Sequence, residues 1–350
     1  MKSVCHLFLV CLSVLTHSSF YSISGQACWK KYGSAVVCAA QLMQLACACV
    51  LYLLLVADFF NDLFEHSLSY SLWTIIAGVL LLLSVFLNQF KRISWLSMFS
   101  VVALVMVFVS VLGYGATKRY QWDFNLGVTT LEGFPVAWGI ILFSFVCHPY
   151  LPGIEESMEK PEEFNSIMNY SFLASALTKL AYGFIAVLTF KDNTPQEISE
   201  NLPAGILRNT ANSLLGLNGM FSYSLPLFTL VTIVHKAQFQ FMPPCIPDEK
   251  HPLTVKERAM VYSLRAMFVI FTVMVAVLLP QFSLLMAVIG SISSVLLTLV
   301  FTCLFDVILH LHHISTRRCV INLLIVCVGV LLGGFGLVFP LIAIMKSYVQ

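Results

Sequence analysis

The sequence predicts an all-α polytopic membrane protein, and three observations predict it. Of 350 residues, 59% are hydrophobic and only 10% are charged, against the roughly one quarter charged that keeps a soluble domain wetted. The mean hydropathy is +0.89. The apolar residues gather into runs of about twenty or more, the length a helix needs to cross a hydrocarbon core about 30 Å thick. These runs do not alternate polar with apolar, as the strands of a membrane barrel do. Helices satisfy their own backbone hydrogen bonds in lipid, so helices are what the runs predict.

Nine spans are expected, over residues 34–60, 70–88, 94–114, 133–152, 171–190, 211–235, 259–280, 282–311 and 320–345. Together they make one transmembrane domain over 34–350, preceded by an apolar N-terminal segment and loop over 1–33. Asn61 to Ser69 and Lys191 to Thr210 are polar connections. The break at Pro280 is short, and a single re-entrant feature there is the alternative to two crossings. Placing the residues before the first span in the cytoplasm puts eleven Lys and Arg on that side, among them Lys30, Lys31, Lys160 and Arg318. Five fall on the other side, including Lys118 and Arg208. This bias is the positive-inside pattern. The sequon Asn169–Ser171 then faces the cytoplasm and is expected to carry no glycan. Val4 to Leu15, behind Lys2, reads either as a signal peptide or as a short anchor or helix remnant.

Several functions are disfavoured. A net charge of +2 suggests no nucleic-acid partner. The eleven cysteines contain no CxxC pair and lie largely within apolar runs, where cysteine behaves as a small hydrophobe. His310, His312 and His313 read as an interfacial polar cluster, because no second ligand set accompanies them. No metal or cofactor is expected. An intramembrane enzyme would need a dyad on facing helices, and His148 has no evident partner in the sequence.

Polar and interrupted stretches inside spans are where chemistry is expected, because the bilayer makes them costly. The fourth span carries Ser144 and His148 among Phe143, Phe145 and Tyr150, then Pro149 and Pro152, then Glu155 and Glu156. Proline lacks the amide donor and disfavours continuous helix. Two readings follow: a helix interrupted at mid-membrane to meet substrate, or a kinked helix with His148 satisfied by a neighbour. The sixth span carries Asn218, Ser222, Tyr223, Ser224 and Pro226, which suit either a polar path or helix–helix glue. Lys179 and Arg265 have stems long enough to snorkel to the interface. Asp306 and Asp58 lie near span ends and are expected to be wetted. A proton-coupled carrier needs a titrating group; His148 is the first candidate and Glu155 the second.

The run Phe143 to Glu156, continuing through Met158, Pro161, Phe164, Met168 and Asn169, resembles the central broken helix of the amino acid/auxin permease family. The resemblance continues through Asn201-Leu202-Pro203, Tyr223 to Phe228, and Arg265 onward through Pro280 to Met286, and begins near Ala27-Cys28 and Lys31-Tyr32-Gly33. It covers roughly 19–350. Within the family the pattern is most similar to the vesicular subgroup that carries GABA and glycine. The resemblance implies a leucine-transporter-type fold, with two inverted repeats and substrate held between two broken helices. It implies secondary active, proton-coupled transport of small neutral amino acids of the GABA and glycine kind in a vesicular or other internal membrane. Carried over, it makes Phe143, Ser144 and Phe145 the unwound, substrate-contacting stretch, with Tyr223 and Ser224 facing the same pathway. The partners implied are a small amino acid, protons and the lipid bilayer.

Residues 1–18 do not resemble the family's first two helices, so an N-terminally incomplete bundle is expected. Its alternative function is that of a truncated, non-transporting membrane protein that folds poorly or associates with a full-length homologue. In such a bundle Ser144 and His148 are both expected to face lipid or an unsealed cavity.

Overall fold

The computed structural model describes residues 33–64, 67–83, 90–122, 133–190, 202–203, 205–236, 255–309 and 315–349. Among these residues the regular elements are helices, without strands. In chain order they are α1 (Gly33–Leu63), α2 (Tyr70–Leu81), α3 (Phe90–Thr117), α4 (Gly133–Phe145), α5 (Leu151–Ser157), α6 (Phe164–Phe190), α7 (Ile206–Ser222), α8 (Ser224–Lys236) and α9 (Val255–Leu278). Then come α10 (Phe282–Ile289), two π-helical stretches (Gly290–Ser294 and Leu296–Val300), α11 (Phe301–Leu309) and α12 (Thr316–Val349). The segment 1–32, most of the connection after Lys191, and the cluster His310, His312 and His313 lie outside the described residues.

Among the described residues, seven segments are long and apolar enough to cross a membrane. α2 and α4 are shorter apolar helices. Val255–Leu278 and Phe282–Ile308 each qualify alone, so two long helices flank Pro280 rather than one re-entrant feature. The expected fourth span is corrected: α4 stops at Phe145, short of residue 152. Pro149 cannot donate to the Phe145 carbonyl and its ring would strike that group. His148, the residue before it, is biased away from helix. Pro152 then sits in the first turn of α5, where the missing amide costs nothing.

The chain divides into two units. The first comprises Met1–Gln44, Thr129–Ala176 and Ser283–Gln350. Its core gathers Val37 and Ala40 of α1, Leu142 of α4, and Val295 to Phe305 with Ile325 of α12. The second comprises Leu45–Val128 and Leu177–Phe282. Here α3 packs along α7, with Val107, Val111, Leu202 and Ala211 buried together. Gly216 and Gly219 of α7 let α1 approach closely, since a Cβ at Gly219 would stand 2.9 Å from Val56. Small residues at such crossings are how membrane helices associate when burial from water provides no drive.

The surfaces are apolar in the way lipid requires. Val101, Val105 and Val109 of α3 and Leu324, Val330 and Leu331 of α12 are all more than half exposed. A water-facing surface of this kind would be an aggregation site. In a bilayer it is the solvated face.

Candidate functional site

The first unit holds the interruption. After α4 the chain leaves helix at Val146 and Cys147, turns through His148, Pro149 and Tyr150, and resumes as α5. Isolated backbone bonds hold the turn: Val146 N donates to Phe143 O at 3.2 Å, and Tyr150 N to Cys147 O at 2.9 Å. The Ile154 amide reaches back to Tyr150 O at 3.1 Å. Of the two readings of the fourth span, the geometry is that of an interrupted helix.

The candidate residues are placed unequally. Phe143 and Phe145 are half-buried and Ser144 is exposed. The Ser144 hydroxyl donates to Ile141 O at 2.7 Å, a local back-bond to the preceding turn of its own helix. His148 is fully buried, with no exposed area. The expectation that both would face outward therefore holds for Ser144 and is corrected for His148, which the turn folds into the interior beside the buried Pro149 and Leu151. Glu155 on α5 is half-buried.

α4 is held by its own unit. A Cβ at Gly290 would overlap the Gly139 carbonyl, and one at Gly139 would come 2.7 Å from Ser291 Oγ. Both glycines are therefore required for the helices to touch backbone to backbone. Gln44 of α1 accepts from Ser293 in the same π-helical stretch, and from Ser294 at 3.4 Å.

In the second unit, Tyr223 lies between α7 and α8 with no exposed area, and Ser224 is 4% exposed. The Thr272 hydroxyl gives its proton to Val269 O at 2.8 Å, so the Tyr223 hydroxyl donates to Thr272 Oγ1 at 2.9 Å. Asn218 Oδ1 accepts from Ser100 of α3 and from Ser222 at 3.3 Å, and the two serine hydroxyls stand 2.6 Å apart. Asn218 and Ser222 thus join helices. Arg265 does not snorkel as expected: it is 2% exposed, with its guanidinium carbon 5.8 Å over the Phe228 ring, and cation–π attraction is strongest where water is excluded.

The wetted reading of Asp306 is also corrected. Its side chain is 5% exposed and accepts from Arg318 through both oxygens, at 2.7 and 3.0 Å. Asn322 Nδ2 adds a third bond at 2.6 Å. Burial of a membrane carboxylate is tolerable here because three N–H donors meet it. The second unit repeats the chemistry more loosely. Asp62, at the end of α1, accepts from Asn212 at 3.0 Å and lies 3.9 Å from Arg208. The signal was in the sequence: Arg208 and Asn212, like Arg318 and Asn322, are four apart in the opening turns of a span. That spacing puts both on one helix face.

Among the described residues no three His, Cys, Asp or Glu stand together to hold a metal. The seven described cysteines are free thiols.

Long apolar helices and lipid-suited outer faces make this a multi-pass membrane protein. The chain belongs to the transmembrane amino acid transporter family, which matches residues 4–342. The match starts ahead of residue 19, near which the motif resemblance begins. The family is one of transporters and not of enzymes. The chain is 28% identical to the vesicular inhibitory amino acid transporter of Xenopus laevis over 347 residues, covering 96% of this chain and 66% of that protein. It is 30% identical to the vesicular GABA transporter of Caenorhabditis elegans over 279 residues, covering 77% of this chain and 56% of that protein. To amino acid transporter AVT1E of Arabidopsis thaliana it is 23% identical over 326 residues, covering 90% and 60%. The chain spans 66% or less of the length of these relatives.

Proposed function

We propose that the chain is a secondary active transporter of small neutral amino acids of the GABA and glycine kind, coupled to protons, in a vesicular or other internal membrane. The observation that carries the proposal is the interruption at 146–150 within an apolar helical segment. An interrupted membrane helix is tolerated only where its backbone is buried in protein or lines a cavity, and transporters use such breaks to meet substrate. The relatives' names supply the substrate class.

Phe143, Ser144 and Phe145 occupy the end of α4 in this proposal. A helix C-terminus carries partial negative charge, which suits the ammonium of an amino acid, and the two phenyl rings flank it with apolar surface. Tyr223 and Ser224 are proposed as further substrate contacts in their own unit. His148 and Glu155 are the proposed proton-coupling groups; His148 would take up a proton only in a conformation that opens the 148–150 turn. The fold proposed is the leucine-transporter-type bundle of inverted repeats. The Asp62 contact with Arg208 and Asn212 supports an even number of crossings between α1 and α7, which holds for the proposed nine spans, with α2 and α4 both crossing, and equally when neither crosses.

The test is uptake of labelled glycine and GABA by the purified chain in proteoliposomes, with and without an imposed pH gradient. Saturable uptake that follows the gradient is the expected result. Folded protein with uptake no higher than empty liposomes sinks the proposal.

A further inference from the structure

We infer that Asp62, Arg208 and Asn212 form a second amino-acid site, in the unit that does not contain the break after Phe145, and that it takes a small zwitterion by both of its charges. The inference goes beyond the proposed transport reaction and does not depend on it. Asn212 stands eleven residues before Tyr223, about 16 Å along the helix, so the trio is also separate from the Tyr223 and Ser224 contacts.

The two units carry the same trio closed to different degrees. In the first, Arg318 places two donors on Asp306 at 2.7 and 3.0 Å, and Asn322 adds a third at 2.6 Å, so the two charges are matched to each other. In the second, the Arg208 Nη2 stands 3.9 Å from Asp62 Oδ2, beyond hydrogen-bond length. Among the described residues its guanidinium finds no nearer acceptor. The Asn212 amide donates to the same Oδ2 at 3.0 Å, while its own Oδ1 is buried without a partner. Asn212 is only 8% exposed, so that oxygen cannot turn to bulk water, and a buried acceptor left unpaired is costly. Both Asp62 contacts fall on Oδ2, which leaves Oδ1 open among the described residues. The trio therefore offers one unused guanidinium fork and two unused acceptor oxygens. It is reachable, with the Arg208 side chain 35% and the Asp62 side chain 21% exposed.

That set selects its ligand by charge. A lone anion on Arg208 would sit against Asp62, and a lone cation on Asp62 would sit against Arg208, so each is repelled by the other member of the pair. A molecule with both signs meets no such conflict. Its carboxylate can take two N–H bonds from the planar guanidinium. Its ammonium carries three donors, enough to reach Asp62 Oδ1 and the buried Asn212 Oδ1 together. Asp58 lies four residues before Asp62, on the same face of α1, and biases the ammonium toward that helix. The floor is apolar. A Cβ at Gly216, one turn deeper than Asn212, would fall on the ring of Phe59, which precedes Asp62 by three residues. The ring closes the trio off below, while Asp62 and Arg208 lie at the end of α1 and the start of α7.

The test is equilibrium binding of labelled glycine to the purified full chain, in a Ser144→Leu background that fills the proposed site at the break. One saturable glycine component is expected to remain. Acetate and methylammonium carry one charge each and are expected to compete at least tenfold less well than unlabelled glycine. Arg208→Gln and Asp62→Asn are each expected to weaken glycine at least tenfold. The Arg208 pair is loose and Asn at 62 can still accept from Asn212, so both variants are expected to melt with their parent, and either alone decides the matter. Arg208→Gln is further expected to let methylammonium compete as well as glycine does, a change of preference that a merely structural role would not produce. Absence of a saturable glycine component in Ser144→Leu overturns the inference, as does a component that the folded variants bind with parental affinity. Acetate competing as strongly as glycine would mean an adventitious ion only and overturns it too. Proton-driven uptake by the wild-type chain is measured separately, so a carrier without this site and a site on a chain that does not carry are told apart.

Discussion

Arg318 grips Asp306 through both carboxylate oxygens, Nη2 to Oδ1 at 2.7 Å and Nε to Oδ2 at 3.0 Å. The two partners are unequally buried: the Asp306 side chain is 5% exposed and that of Arg318 46%. Removing one partner therefore differs from removing the other. Arg318→Ala strands a buried carboxylate, which costs on the order of 3 kcal/mol when a buried pair is broken. Asp306→Ala leaves a guanidinium that can turn to water, and should cost clearly less. Thermal unfolding in one detergent checks the order, and equal losses would contradict it.

The Tyr223–Thr272 bond should behave as a coupled pair. Tyr223→Phe removes a buried donor and should lower stability by about 1 kcal/mol. Thr272→Val should do the same, and the double variant should lose less than the two added together. Additive losses would show that the hydroxyls do not depend on each other.

Glycines separate into crossing points and open positions. A Cβ at Gly216 would fall on the Phe59 ring, whereas one at Gly183 meets nothing within 4 Å. Gly216→Ala should destabilise by about 1–3 kcal/mol through overpacking, and Gly183→Ala should not destabilise at all. Melting temperatures that move together would be evidence against the α1–α7 approach.

How much of this was legible in the sequence follows from what each signal depends on. Span existence depends on composition alone, and the long spans are α1, α3, α6, α7 with α8, α9, α10 through α11, and α12. The break after Phe145 was half legible, because two prolines disfavour helix without saying whether the chain bends or unwinds. Burial of Asp306 and Arg265 was not legible. Both depend on what stands opposite in space, an arginine twelve residues away in one case and the Phe228 ring in the other. Nor does sequence periodicity reveal a π-helical stretch, since the extra residue changes which side chain meets Gly139 without changing how apolar the run is.

Topology offers a further check. Leu68 and Ile206 are exposed near the Asp62 joint, and Lys256 and Arg317 are exposed at the starts of α9 and α12. Single cysteines at Leu68 and Ile206, in an otherwise cysteine-free chain, should react with an impermeant reagent from one side of a sealed vesicle. Those at Lys256 and Arg317 should react from the other, cytoplasmic side. Labelling of Leu68 and Ile206 from opposite sides would contradict both the joint and the charge bias that orients the chain.

The interrupted helix is the proposed place where substrate is held. Ser144 is exposed at the end of α4, where its hydroxyl donates to Ile141 O at 2.7 Å, so a larger apolar side chain there should fill the site without disturbing the core. The most direct measurement is pH-gradient-driven glycine uptake by wild type and Ser144→Leu in proteoliposomes, at matched melting temperature and matched protein per liposome. The account predicts saturable uptake by wild type and a loss of at least tenfold in the variant. Uptake by Ser144→Leu equal to wild type would contradict it and leave the break after Phe145 as a kink and nothing more.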